Sequence, residues 1–131
     1  MSQLTLEQRK SLEQALRVRS IVLRGEITAA LRQQDTPETA HLANRFEETG
    51  DDVLADIELS LDIASVERDM GELRSVVEAL GRIDSPGYGI CSDCDAAIPF
   101  ARLQAEPAAR RCVACQERHE HSHAGGTHSS L

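Results

Sequence analysis

Apolar residues are spaced three and four apart along most of the chain. From Thr5 to about Gln34, Leu12, Leu16, Leu23, Ile27 and Ala30 fall on one narrow stripe at 3.6 residues per turn, among Arg, Lys, Glu and Gln. Thr5 and Gln8 have the spacing of a capping box, so the stripe reads as one long helix. At 1.5 Å per residue, roughly 30 residues extend about 45 Å. Val18, Ile21 and Val22 lie off the stripe and are expected to widen its packed face, with a partner contact as the alternative. The segment "QQDTPETAHLANRFEETGDD" interrupts the pattern. Thr36-Pro37 restarts a helix, with Thr as N-cap and Pro in the first helical position, and Gly50 weakens continuity again. Beyond it, Leu59, Ile63, Val66, Met70, Leu73, Val77 and Leu80 alternate spacings of four and three, the repeat of a coiled-coil seam. Two arms of similar length predict an antiparallel helical hairpin over residues 1–84, with its tip at about 35–52. Pro86 and Gly87 then end the helical pattern.

Composition sharpens this picture. Phe46, Tyr88 and Phe100 are the only aromatic residues among 131. A chain so poor in aromatic side chains suits a thin helical assembly better than a thick core. The N-terminus is polar, with no apolar leader, and no apolar run approaches the roughly 18 residues that span a bilayer. A cytoplasmic protein without a membrane segment is therefore expected. The formal net charge is −8. DNA binding calls for a basic face that displaces phosphate counterions, so direct DNA contact is not expected, whereas a basic protein surface would attract this chain.

All four cysteines lie within residues 91–115, as Cys91-x2-Cys94 and Cys112-x2-Cys115, with 17 residues between the pairs. That is the spacing of a tetrahedral four-thiolate zinc site, in which each tight turn aims two sulfurs inward. One structural Zn2+ is expected. Asp95 follows the first turn, where a left-handed backbone is common and Asp tolerates it. The second pair should open a short helix towards His119. Ile90, Ile98, Phe100, Leu103 and Val113 supply only a miniature core, so the metal must contribute much of the folding energy. Four cysteines close the coordination shell and exclude a catalytic zinc. Without a nucleophile–base pair or a phosphate-binding glycine loop, the chain is not read as an enzyme. Disulfides would suit an oxidising compartment, and a redox Cys-x-x-Cys would need a βαβ setting that is missing. His119, His121, His123 and His128 fall in or beside a polar segment, 121–131, expected to be a disordered tail; loose binding of zinc or nickel is the alternative for them, and His119 is a conceivable replacement ligand.

The stretch "IDSPGYGICSDCDAAIPFARLQAEPAARRCVACQERHE" resembles the zinc finger of the DksA/TraR family of bacterial transcription regulators. The resemblance rests on Gly87-Tyr88-Gly89, Ile98-Pro99, Ala101-Arg102-Leu103, Pro107 and the two cysteine pairs, and with the hairpin it spans roughly residues 5 to 120. It implies a mainly α fold, a long antiparallel coiled-coil hairpin followed by a four-cysteine finger over 85–120 with a short β-knuckle and a short helix. It also implies binding to RNA polymerase in its secondary channel and action near the catalytic centre through acidic residues at the tip; a monomer is expected, with pairing of the second helix between chains as the alternative. The tip positions here are Glu48, Asp51 and Val53, in a Glu-x-x-Asp-x-Val pattern where the family has Asp-x-x-Asp-x-Ala, with Asp52 alongside and Glu47 and Asp56 nearby. Family members that respond to ppGpp carry basic residues where this chain has Ser75 (beside Arg74), Glu106 and Gln116, so ppGpp binding is disfavoured. The competing readings are a zinc-stabilised helical-hairpin module for another protein partner, and a zinc-handling protein.

Overall fold

The computed structural model describes residues 4–60 and 64–129, the side chains of 51, 60, 64, 65 and 123–129 excepted. Among these residues six α-helices follow in order: α1 Leu6–Gln33, α2 Pro37–Thr49, α3 Leu54–Ser60, α4 Ala64–Arg82, α5 Phe100–Ala105 and α6 Val113–Ser129, with a 3-10 turn at Gly50–Val53. The chain divides into two compact units, Met1–Leu16 with Glu78–Leu131, and Arg17–Val77, so α1 and α4 contribute residues to both.

The start of α1 follows from its sequence. The Thr5 N–H donates to Gln8 Oε1 at 2.9 Å and the Gln8 N–H donates to Thr5 Oγ1 at 3.1 Å, so orphan amides of the first turn are satisfied. At the other end Asp35 adopts a left-handed backbone, φ 52°, and reverses the chain. Thr36 then caps α2, but the reciprocal partner is Thr39 instead of an acidic residue.

Within the Arg17–Val77 unit, α2 lies back along α1. Arg32 Nη2 donates to Asn44 Oδ1 at 3.1 Å and Glu47 Oε1 at 2.9 Å, and the Arg24 guanidinium stands 5.5 Å from the Phe46 ring centre. Residues 35–52 therefore do not form one tip. They contain a turn at 34–36, a 13-residue helix and a second turn at Gly50. Gly50 takes φ 73°, and a Cβ there would come within 3.2 Å of Arg24 Nη1. Leu42, Ala43 and Phe46 of α2 are buried with Val53, Leu54 and Ile57. The α1 and α4 segments of this unit run antiparallel, because Arg19 makes a forked bond to Glu72 at 2.5 and 2.7 Å while Glu26 meets Asp69 further along α1.

Three details of the apolar pattern change. On α1 the buried stripe ends at Leu31, with Ala30 only half-buried. Val18, Ile21 and Val22 do not widen the packed face: they are 50%, 69% and 42% exposed. On α4 the seam consists of Val66, Met70, Leu73, Val76 and Ala79, followed by Ile83. Spacings of three after Leu73 move it from Val77 and Leu80 to Val76 and Ala79. Leu59 is 88% exposed and Ile57 takes the interior place. Ile63 lies outside the described residues.

One pairing on this surface works against stability. Glu26 and Asp69 share a hydrogen bond between two carboxyl groups, and this contact with Asp69, together with its charge, raises the pKa of Glu26. A raised carboxyl favours folding below its unfolded value, and that contribution fades as pH rises through the folded value. Glu26→Gln is thus expected to raise the melting temperature slightly at pH 7 and to leave it unchanged near pH 4. Equal effects at both pH values would show that the two carboxylates do not repel.

In the other unit, the ends of the long helices meet the cysteine-containing segment. Arg9 Nη1 donates to the Ile83 carbonyl and, at 3.3 Å, to that of Ser85. α6 continues through Ser129, beyond the point at which a disordered tail was expected; no proline interrupts it after Cys115.

Candidate metal centre

The backbone around the cysteines forms a compact knuckle. Ile90 and Ala97 make an antiparallel bridge, with the Ile98 N–H bonded to the Gly89 carbonyl at 2.7 Å and the Cys91 N–H to that of Ala96 at 2.8 Å. The Asp95 N–H closes the turn on the Cys91 carbonyl at 3.0 Å, and Asp95 has the expected left-handed backbone, φ 63°. Cys112 immediately precedes α6, which places Cys115 on its first turn.

The four sulfurs converge. Those of Cys91, Cys94, Cys112 and Cys115 lie within 4.8 Å of one another, with Cys94 Sγ and Cys112 Sγ 3.8 Å apart. A tetrahedron with zinc–sulfur bonds of about 2.3 Å requires edges of about 3.8 Å, so these residues fit a single zinc ion. Burial raises the Cys91 thiol, yet backbone N–H groups of Cys112, Cys94 and Asp93 outweigh it and draw it down to about 6. At Cys115, Arg118 Nη2 donates to the sulfur at 2.9 Å and lowers its pKa. Hydrogen bonds with the sulfurs of Cys112, Cys94 and Cys91, together with burial, outweigh that and leave it pushed up to about 12. Four sulfurs this close cannot all ionise without a cation among them, and a coordinated metal provides that charge.

The finger is tied down at Tyr88. This side chain is fully buried, its hydroxyl donates to the Pro107 carbonyl at 2.8 Å, and the guanidiniums of Arg9 and Arg82 stand 5.9 and 5.7 Å from its ring centre. Arg82 also donates to the carbonyls of Ala108 and Ala109 at 3.2 and 3.4 Å, and Glu78 bridges Arg82 and Arg110 at 2.5 and 3.0 Å. Ile98 and Leu103 are buried as expected, with Ala109 beside them, while Val113 is 52% exposed and leaves the miniature core. The hub at Tyr88 and the Arg118 contact are not visible in composition. The signals for them are an aromatic residue between two glycines, and an arginine three residues after the last cysteine, on the same helix face.

The other singled-out residues are dispersed. Glu48 and Asp52 are exposed, Val53 is 1% exposed and so is not displayed, and the side chain of Asp51 lies outside the described residues. Glu47 is held by Arg32 and Asp56 by Arg45 at 3.2 Å. Arg74 is engaged by Glu58, and the Ser75 hydroxyl donates to the Gly71 carbonyl at 3.2 Å. Glu106 pairs with Arg102 at 3.1 Å, and Gln116 donates to Glu120 at 3.1 Å. Neither His119 nor His121 joins a convergent ligand set among the described residues; the side chains of His123 and His128 lie outside them. Among the described residues no helix is long and apolar enough to cross a membrane.

The fold and site define a helical-hairpin protein with a closed, structural four-cysteine zinc finger. The model of the prokaryotic dksA/traR C4-type zinc finger matches residues 86–121. The RNA polymerase-binding transcription factor DksA of Caulobacter vibrioides is 30% identical over 93 residues, 71% of this chain and 61% of that protein. The factor of the same name from Escherichia coli K12 is 26% identical over 74 residues, 56% of this chain and 49% of its own. The chain therefore spans 49% to 61% of the length of these relatives. The structure of transcription factor DksA2 from Pseudomonas aeruginosa superposes with a TM-score of 0.61 at 27% identity, over 91% of this chain and 88% of that one. Residues 86–121 are a dksA/traR C4-type zinc finger, and these likenesses together support a DksA/TraR family protein.

Proposed function

We propose that this protein is a regulator of transcription initiation that binds RNA polymerase in its secondary channel, as a monomer, in the cytoplasm, and without catalysis or DNA contact of its own. The observation that carries the reading is the joining of a four-cysteine finger to paired long helices across 91% of the chain, the arrangement shared with a DksA factor. The formal charge of −8 agrees with a protein partner and disfavours nucleic acid.

The carboxylates assigned to the polymerase's catalytic region are Glu48, Asp51 and Asp52. Glu48 and Asp52 are exposed at the α2 end and the 3-10 turn, whereas the buried Val53 holds that turn in place. Coupling to ppGpp is weak or absent. Arg74 is already occupied by Glu58, Ser75 is neutral, and Glu106 presents a carboxylate where a polyphosphate would need a cation.

Competition between this chain and a DksA protein for purified core polymerase tests the reading, since two occupants of one channel exclude each other. The double variant Glu48→Ala, Asp51→Ala is expected to bind polymerase like the unaltered chain and to shift the lifetime of open promoter complexes by about tenfold, roughly 1.4 kcal/mol. Unchanged lifetimes would remove the carboxylates from the mechanism, and simultaneous binding of both proteins would remove the channel.

A further inference from the structure

The sulfurs of the finger are not supported alike. Cys91 is served by backbone N–H groups of Cys112, Cys94 and Asp93, and Cys94 by that of Ala96. At Cys115 the donor is a side chain, with Arg118 Nη2 standing 2.9 Å from the sulfur. Cys115 lies on the first turn of α6 and Arg118 three residues further on, so the helix itself aims the guanidinium at that sulfur. Cys115 is buried whereas Arg118 is exposed, which puts the contact at the surface of the finger.

The other arginines of the finger are occupied by carboxylates. Arg102 pairs with Glu106 at 3.1 Å, Arg110 with Glu78 at 3.0 Å and Arg111 with Asp93 at 3.0 Å. Among the described residues Arg118 is the cation directed at a sulfur, and its charge acts on those of Cys112 and Cys94 as well. Four thiolates on a divalent ion leave the site with a charge of about −2. A guanidinium in contact offsets part of that charge, and it does not lose its own proton in proteins. An emptied finger that unfolds keeps neither the contact nor the clustered sulfurs. The cation therefore stabilises the loaded form over the emptied one.

We infer that Arg118 is a positioning residue of the zinc site, which holds Cys115 through a charged N–H···S bond and slows loss of the metal. This adds to the site a residue outside the four ligands, and it is independent of the polymerase reading above.

Release of zinc from the loaded full-length chain into an excess of a chromogenic chelator tests it. Arg118→Ala is expected to release zinc about tenfold faster, the low end of what partners of metal ligands commonly contribute. Arg118→Lys keeps a cation that can donate, and is expected to bring the rate back to within about threefold of the unaltered chain. Arg110→Ala removes the same charge from the same finger, but from a carboxylate, and is expected to change the rate by less than about twofold. Cobalt(II) in place of zinc reports the bond itself. In Arg118→Ala the visible bands of a tetrahedral four-sulfur site should persist. The sulfur-to-cobalt charge-transfer band should move to longer wavelength, because a sulfur relieved of a charged donor gives up an electron more readily. A general loosening of α6 would not produce that shift with the visible bands intact. If Arg118→Ala releases zinc within twofold of the unaltered chain, or if its charge-transfer band stays in place, the inference fails. Equal acceleration in Arg110→Ala would assign the effect to overall charge and overturn it, as would release from Arg118→Lys as fast as from Arg118→Ala.

Discussion

Removal of the zinc unfolds the finger, and this is the largest single effect expected for the molecule. Between Tyr88 and Cys115 the buried apolar side chains are Tyr88, Ile98, Leu103 and Ala109, besides Cys91 and Cys115 themselves. So small a set cannot offset the entropy of ordering the segment, at roughly 1–2 kcal/mol per residue of backbone alone. Structural zinc in finger peptides contributes on the order of 10–16 kcal/mol, comparable to the whole stability of an ordinary domain. After chelation, amide resonances from about 88 to 116 should collapse into the unfolded range, and Cys91→Ser should reproduce this in zinc-replete buffer. Ser92→Ala, on an exposed neighbour, should not. Native dispersion of these resonances in the stripped protein would refute a metal-dependent fold.

The second large effect is expected at Tyr88. Removing a fully buried ring costs about 3–5 kcal/mol when its surroundings cannot close over the space. The surroundings here are two guanidiniums and the Pro107 carbonyl, which gain nothing by collapsing on a void. Tyr88→Ala should lower urea stability by that amount, whereas Tyr88→Phe, which only leaves the Pro107 carbonyl unpaired, should cost about 1 kcal/mol. The pH dependence separates the two roles of the ring. Burial raises the Tyr88 phenol above its ordinary value of 10.0, against the smaller opposing influence of Arg82 and Arg9. The stability this provides is complete below pH 10 and declines as pH rises through the folded value, so Tyr88→Phe should remove part of the alkaline loss. A Tyr88→Ala variant as stable as the unaltered chain would mean that the finger is not anchored at this ring.

Much of the fold was legible because it is written in local terms. The Thr5–Gln8 box, the Thr36-Pro37 restart, the left-handed Asp95 and the convergence of four cysteines each depend on residues close in sequence, or on a metal with fixed geometry. Periodicity likewise revealed two amphipathic helices and the residues of the inner α1 stripe. It could not reveal which of two apolar faces is covered. Val18, Ile21 and Val22 look like core by composition, yet among the described residues they stay exposed.

Helix starts and stops, the zinc ligands and the family resemblance follow from the order of residues alone, because capping, backbone preference and coordination act over a few residues. Tertiary packing decided that α2 folds back on α1, that the α4 seam shifts to Val76 and Ala79, that Val53 turns inward, and that Arg9 and Arg82 meet on Tyr88. Those outcomes depend on which helix supplies the neighbouring surface. The partners are many residues apart, so neither the spacing nor the chemistry of any single segment contains them.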